Sequence, residues 1–243
     1  FRTSNMQIAL CLICKDENEY LQEWIDYHIN VGIDYFIIYD NNSKYPISKT
    51  IEKLGYRNVT VISWKEDKTY SQVNAYMHCC QNFQNYDYIG FIDTDEFYES
   101  ISMNIKQDFQ TIIKNKEVNG LFLFWRFYGS FPYFTDRQPI ENYTQWVESD
   151  GIKSFLNPKK VEFFYHPHAA KIEGIYIDEL NRGEIHYPKH TSNFFWIKHV
   201  YTRSLSEWGE KIKRGDVNNK EKKKKTVEEF YEANNLIKQK YEN

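Results

Sequence analysis

Residues 7–14, QIALCLIC, are apolar at every position but the first. A run of that kind belongs to a strand buried on both faces, and such strands occur in parallel sheets covered by helices. The segment that follows changes period. From Asp16 to Gly32, Tyr20, Leu21, Trp24, Ile25, Tyr27, His28 and Val31 fall at helical spacing, with Asp16 placed to cap the start and Gly32 to end it. DYFIIYD (34–40) predicts a second strand closed by the turn formers Asn41, Asn42 and Ser43. A short helix near 47–54 leads to VTVIS (59–63), and a helix over about 70–84 leads to YIGFID (88–93). Four strands alternating with helices, joined by short connections, predict an α/β fold with a mostly parallel sheet flanked by helices.

Sheets of this kind bind ligands beyond the carboxyl ends of their strands. The polar residues gather at those ends: Lys15, Asp16 and Glu17 after the first strand, Asp40, Asn41 and Asn42 after the second, Asp93 and Asp95 after the fourth. Clusters far apart in sequence therefore converge on one rim. Beyond Asn104 the spacing predicts a helix over 105–116, an aromatic-rich strand over 120–130, a loop-rich stretch over 131–158, strands near 159–177 and 183–187, and a helix from about Ser204. Residues 1–104 read as a ligand-binding half and 105–215 as a second half of the same domain, with 216–243 a charged helix or tail.

Composition narrows the function classes. The chain has 243 residues, 41% hydrophobic and 27% charged, with a formal net charge of -3, which gives no global attraction to nucleic acid. No apolar run approaches the roughly 18 residues of a membrane span. Aromatic residues make up 18% of the chain, and part of that excess suits a surface that stacks on sugar rings. Cys11 and Cys14 form a CxxC, but three positions apart on a strand they face opposite ways and cannot share a metal. They read as core thiols and Cys79 and Cys80 as helix-interior residues, which favours a reducing, cytoplasmic compartment. From residue 211 onward there are ten Lys and Arg against six Asp and Glu. The run Lys222 to Lys225 reads as the solvated face of a terminal helix, with peripheral contact to the inner face of an anionic membrane as the functional alternative. The chain opens on Phe1 with no signal-peptide pattern after it.

The stretch that poses the chemical question is DYIGFIDTDEFYES (87–100), where Asp93, Asp95 and Glu96 crowd the end of a buried strand. Such acids repel one another and resist desolvation. Two carboxylates at i and i+2 can hold a divalent cation, and oxygen ligands with open positions suit magnesium or manganese carrying phosphate oxygens. The structural alternative is that they cap a loop or pair with lysines.

The combination CLICKDENEYLQEWIDYHINVGIDYFIIYDNNS, YIGFIDTDEF, WRFYGS and WIKHVYTRSLSEWGEKIKRG resembles the GT-A-fold glycosyltransferases, closest to glycosyltransferase family 92 and its bacterial family 2-like relatives, over about residues 6–215. The resemblance implies a GT-A (Rossmann-like) sheet with a C-terminal acceptor-side region. It also implies a metal-dependent transfer of sugar, with inversion, from a nucleotide-diphosphate sugar such as a UDP-sugar to a glycan, lipid-linked glycan or glycoprotein. Asp93 and Asp95 match the D-x-D that binds Mn2+ or Mg2+ and the donor diphosphate, and His199 matches a C-terminal histidine that completes the site. Asp40 matches the base-binding position, and Lys15, Asp16 and Glu17 the loop around ribose and base. Arg203, Lys211 and Arg214 are placed to neutralise diphosphate. An inverting enzyme needs a general base, for which Asp136 leads Glu141 and Glu148. Two other classes share such a rim: a metal-dependent nucleotidyltransferase, against which KDENEY offers no phosphate-binding Gly, and a non-catalytic carbohydrate-binding protein.

Overall fold

The computed structural model describes residues 6–66, 70–114, 116–183, 189–214 and 225–242. β1 (Ile8–Cys14), β2 (Tyr35–Asp40), β3 (Val59–Ser63) and β4 (Tyr88–Phe91) are parallel in the order β3-β2-β1-β4, as the alternation requires. Along β1 the side chains alternate between two cores. Ile8, Leu10, Leu12 and Cys14 join one apolar cluster, and Ala9 and Cys11 the other. The two cysteines thus face opposite ways, and all four in the chain are free and buried. Burying each Leu or Ile here contributes about 1.5–3 kcal/mol, which fixes the register of the central strands.

α1 (Leu21–Asn30) follows a short 3-10 turn over Asn18–Tyr20, and α2 (Ile47–Leu54) and α3 (Ser71–Asn82) take the expected places. Asp16 does not cap α1. Its φ is +55°, and its carboxylate accepts from the Lys44 amide at 2.6 Å, which tethers two loops of the rim instead. Gly32 ends α1 with φ +104°, a conformation that favours glycine.

Among the described residues, β5 (Glu96–Ser100), β6 (Val118–Tyr128), β7 (Trp146–Leu156), β10 (Ile175–Ile177) and β11 (Phe195–His199) complete a nine-stranded sheet in the order β3-β2-β1-β4-β7-β6-β11-β5, with β10 alongside β6. β5 starts inside the acidic stretch and pairs antiparallel with β11. α4 (Ile105–Ile113) leads to β6, then β7, the β8 (Val161–His166)–β9 (Ala169–Ile172) hairpin and β10. β7 corrects the reading of 131–158 as loop: eleven of those residues form a strand between β4 and β6, and 131–145 with 157–158 carry the turns. Its outer half, WVESDG, is polar because it lies towards the rim, whereas IKSFL is buried. The strand expected at 183–187 shows a single bridge at Gly183, and 184–187 lie outside the described residues.

α5 (Leu205–Arg214) and α6 (Val227–Glu242) close the chain. α6 is seated on the fold. Asn234, fully buried, accepts from the Ser130 amide at 2.6 Å and donates to Thr202 at 3.3 Å. Of the basic run, Lys222 to Lys224 lie outside the described residues. Among the described residues no helix is long and apolar enough to cross a membrane.

Candidate active site

The rim is built by register. Cys14 lies beside Asp40 and Cys11 beside Phe91, so the segments leaving β1, β2 and β4 emerge together. Residues 93–96 form a turn rather than a strand end, closed by the Glu96 amide donating to the Asp93 carbonyl at 3.1 Å. The buried indole of Trp24 clamps that turn, donating to the carbonyls of Asp93 and Glu96 at 3.1 and 3.0 Å. β11 then brings the far end of the chain to it. His199 is the cross-strand partner of Glu96, and the Val200 amide donates to the Asp95 carbonyl at 2.9 Å.

The two aspartates of the turn engage different partners. Asp93 accepts from Lys153 at 2.9 Å and from Gln72 at 3.2 Å. Lys153, on β7 and fully buried, also lies 3.2 Å from the buried Glu96. Burial pushes the Glu96 carboxyl up, with Asp93 and Asp95 adding to it and Lys153 opposing, to about 8. Asp93 and Glu96 in turn hold the Lys153 ammonium protonated against its burial. One buried cation thus serves two carboxylates.

Asp95 faces the other way. Its Oδ2 accepts from Lys211 at 2.6 Å and its Oδ1 lies 3.6 Å from His199 Nε2. Burial raises the Asp95 carboxyl, but Lys211, His199 and Arg203 outweigh it and hold the group well below the usual carboxylate range. His199 is buried among Trp125, Phe127 and Tyr201, and burial, opposed by Asp95, lowers its imidazole below the ordinary histidine value. Arg203 donates to the Thr94 carbonyl at 2.6 Å and lies over the Tyr20 ring at 4.0 Å. It precedes α5 with φ +51°, so it does not share a helix face with Lys211. What aims Lys211 is a capping box: Ser204 and Glu207 exchange bonds across the first turn of α5, and Lys211 sits one turn further on the same side.

A cleft of about 250 Å³, open mouth included, runs between the turn and α5, lined by Glu17, Thr94, Asp95, Arg203, Glu207 and Lys211 among others. Glu17 accepts from the Thr94 hydroxyl at 2.6 Å. Asp40 lies at the neighbouring part of the rim, where its two oxygens accept from the Ser43 and Ile47 amides at 3.0 and 2.9 Å and shape the loop into α2. Lys15 is half-buried beside it. Asp136 is exposed on the loop after β6, whose Phe134 and Thr135 carbonyls accept from Leu205 and Ser206. Arg214 closes α5, and its side chain lies outside the described residues.

No group of three or more His, Cys, Asp or Glu among the described residues forms a ready cation cage. Asp95 and His199 do form a two-ligand edge, a carboxylate oxygen facing a neutral imidazole nitrogen. Two protein ligands fit an ion of the magnesium or manganese type, which completes its shell with water and substrate phosphate. Lys153, Lys211 and His199 are the partners that decide the state of the acidic turn. His199 was legible from sequence; Lys153, inside an apparently loop-like stretch, was not.

Acids, a histidine and cations at the carboxyl edge of a parallel sheet place the protein in the α/β class that binds ligands at that edge. The chain belongs to glycosyltransferase family 92, whose sequence profile matches residues 7–234. It is 30% identical over 118 residues to a family 92 protein of Ricinus communis, covering 47% of this chain and 20% of that one. It is 35% identical over 95 residues to one of Arabidopsis thaliana, covering 38% and 16%. The matched segment thus spans about a fifth of the length of the curated relatives. Among solved structures, glucosyl-3-phosphoglycerate synthase of Mycobacterium tuberculosis, in complex with Mn2+, UDP and glucosyl-3-phosphoglycerate, superimposes with a TM-score of 0.34 at 16% identity over 50% of this chain and 45% of that one.

Proposed function

We propose that the chain is the catalytic domain of a glycosyltransferase that moves a hexosyl group, with inversion, from a UDP-sugar to a hydroxyl of a glycan, lipid-linked glycan or glycoprotein. The observation that carries the reading is Asp95: a single carboxylate at the sheet edge ringed by His199, Lys211 and Arg203. That ring has the charge layout for a diphosphate anchored through a divalent cation. Asp95 and His199 would hold Mn2+ or Mg2+, with Asp93 beside them on the turn. The ion, when bound, supplies positive charge to the departing diphosphate. Lys211 and Arg203 face the same charge from α5 and its approach. Glu17 and Thr94 line the floor, and Lys15, Asp16 and Asp40 order the loops that would flank ribose and base. Asp136 is the exposed carboxylate available from the acceptor half. A membrane surface is the proposed contact of the basic run that includes Lys222 to Lys225.

Thermal unfolding with UDP tests the reading. UDP should raise the midpoint when Mn2+ is present and not in EDTA, and Asp95→Asn should remove the gain. Both aspartates also carry a lysine. An equal gain in EDTA therefore assigns diphosphate neutralisation to Lys211 and Arg203 alone and overturns the cation-dependent reading.

A further inference from the structure

The β8–β9 hairpin turns at His166, Pro167 and His168, a segment that the donor chemistry leaves unused, and it folds back onto the site. The His168 ring meets Trp125 edge-on at 5.0 Å between centroids, and the same indole meets His199 at 4.6 Å. His168 therefore stands two ring contacts from the imidazole that faces Asp95. Trp125 is aimed there by the backbone. The register of β6 against β7 shifts between Phe124 and Arg126, and a β-bulge of this kind re-aims the side chain it carries. Gly151 leaves the space: a Cβ there would lie 1.8 Å from Trp125 Cε3.

Three contacts fix His168. The Ser154 hydroxyl donates to its carbonyl at 2.7 Å, and its amide donates to His166 Nδ1 at 3.2 Å. Its ring Nδ1 lies 3.1 Å from the Ile152 carbonyl. A carbonyl oxygen only accepts, so Nδ1 carries the proton and Nε2 bears the lone pair. No hydrogen bond from the described residues occupies Nε2, and it is not among the buried, unsatisfied atoms. An imidazole tethered through one nitrogen and open at the other has the form of a proton acceptor.

We propose that His168 Nε2 is the general base of the reaction, taking the proton of an acceptor hydroxyl seated against Trp125. The proposal rests on the glycosyl-transfer reading above and replaces Asp136 in the base role. The hydroxyl oxygen forms a bond to the anomeric carbon while its proton passes to Nε2. The bond from that carbon to the diphosphate oxygen breaks, its electron pair leaving on the nucleoside diphosphate. The imidazolium then returns its proton to water. Burial, assisted by Lys153 and His166 and opposed by Asp93, lowers the His168 imidazole to about 4, so it is unprotonated through the neutral range. Across Trp125 lies the titratable ring of His199.

The test compares wild type, His168→Ala, His168→Gln and Asp136→Asn. UDP-glucose, UDP-galactose and UDP-N-acetylglucosamine are supplied with Mn2+ and simple nitrophenyl glycosides, and UDP release and glycoside product are measured. His168→Ala should lower kcat on the order of 10²–10⁴-fold, the usual contribution of a general base. Its thermal shift with UDP and Mn2+ should match wild type, and added imidazole should restore part of the rate. Histidine 15N spectra of wild type, which need no variant to fold, should show the Nδ1–H tautomer at His168. A rate within threefold of wild type in His168→Ala, a loss that imidazole does not relieve, an Nε2–H tautomer, or a comparable loss in Asp136→Asn alone would each overturn the proposal. A wild-type protein that neither binds UDP nor releases it from these donors removes the UDP-sugar reading on which the proposal rests, a different failure.

Discussion

His28→Leu tests how the acidic turn is held from behind. His28 is fully buried in α1, where its Nδ1 lies 2.7 Å from the Trp24 carbonyl and its Nε2 accepts from the Tyr98 amide of β5 at 3.1 Å. Leucine leaves that amide unpaired in a dry site, costing about 1–3 kcal/mol, and loses the bond to Trp24, about 0.5–1.5 kcal/mol more. A loss of roughly 2–4 kcal/mol at pH 7.5 follows, which in a chain of this size lowers the melting midpoint by roughly 4–16 °C. The pH dependence separates this account from a mere packing defect. Burial lowers the His28 imidazole to about 3 from an ordinary 6.5. A base depressed on folding gives its full stability above the unfolded value, and that stability is lost as pH falls, because the unfolded chain takes up the proton first. Between pH 7.5 and 4.5 wild type should lose roughly 2–3 kcal/mol through this one group, a loss the leucine variant does not share. The two melting curves, measured by circular dichroism from pH 7.5 to 4.5, should therefore converge as the medium is acidified. Parallel curves would refute the claim that a neutral, doubly bonded imidazole secures β5.

Two further substitutions probe the site from β7. Lys153→Met strips the ammonium from Asp93 and Glu96; the Asp93 half is partly exposed and counts for little, so the buried Glu96 sets the loss. Where Glu96 is ionised, above the value near 8 to which burial lifts it, removing one partner of a buried pair costs about 3–5 kcal/mol, so the melts are run at pH 9. Glu96→Gln in the same chain should recover most of the lost melting temperature, and no recovery would show that the lysine is not neutralising Glu96. Gly151→Ala drives a methyl into Trp125 and should cost about 1–3 kcal/mol by overpacking. It should also change the tryptophan near-ultraviolet signal, whereas an unchanged spectrum would mean that Trp125 does not rest on Gly151.

The parallel half of the fold was readable because its signals are local. The alternation of β1 between two cores, the helical spacing of α1 and the turn residues after β2 each act within a few positions. Asp16 misled because a capping residue and a loop tether look alike in sequence; only its positive φ separates them. β7 was hidden for a different reason. Its rim half is polar and carries Gly151, so alternation and apolar content both fail there, and its placement between β4 and β6 is decided by pairing with strands far away in the chain.

The acidic turn shows the same division. Its sequence declares a problem, three carboxylates in four positions, without declaring the solution. In the structure each acid has a cation from a distant segment: Lys153 from β7 for Asp93 and Glu96, and Lys211 from α5 for Asp95, with Arg203 bonded to the Thr94 carbonyl between them. Desolvation alone would push such acids towards protonation, and for Glu96, which shares its lysine, it does. Asp95 stays ionised because its cations are its own. The turn is thus divided into a structural acid, Glu96, locked beneath the rim, and a working acid, Asp95, kept charged at the cleft. No spacing rule could have distinguished the two, since they are neighbours in the chain and differ only in which way the turn points them.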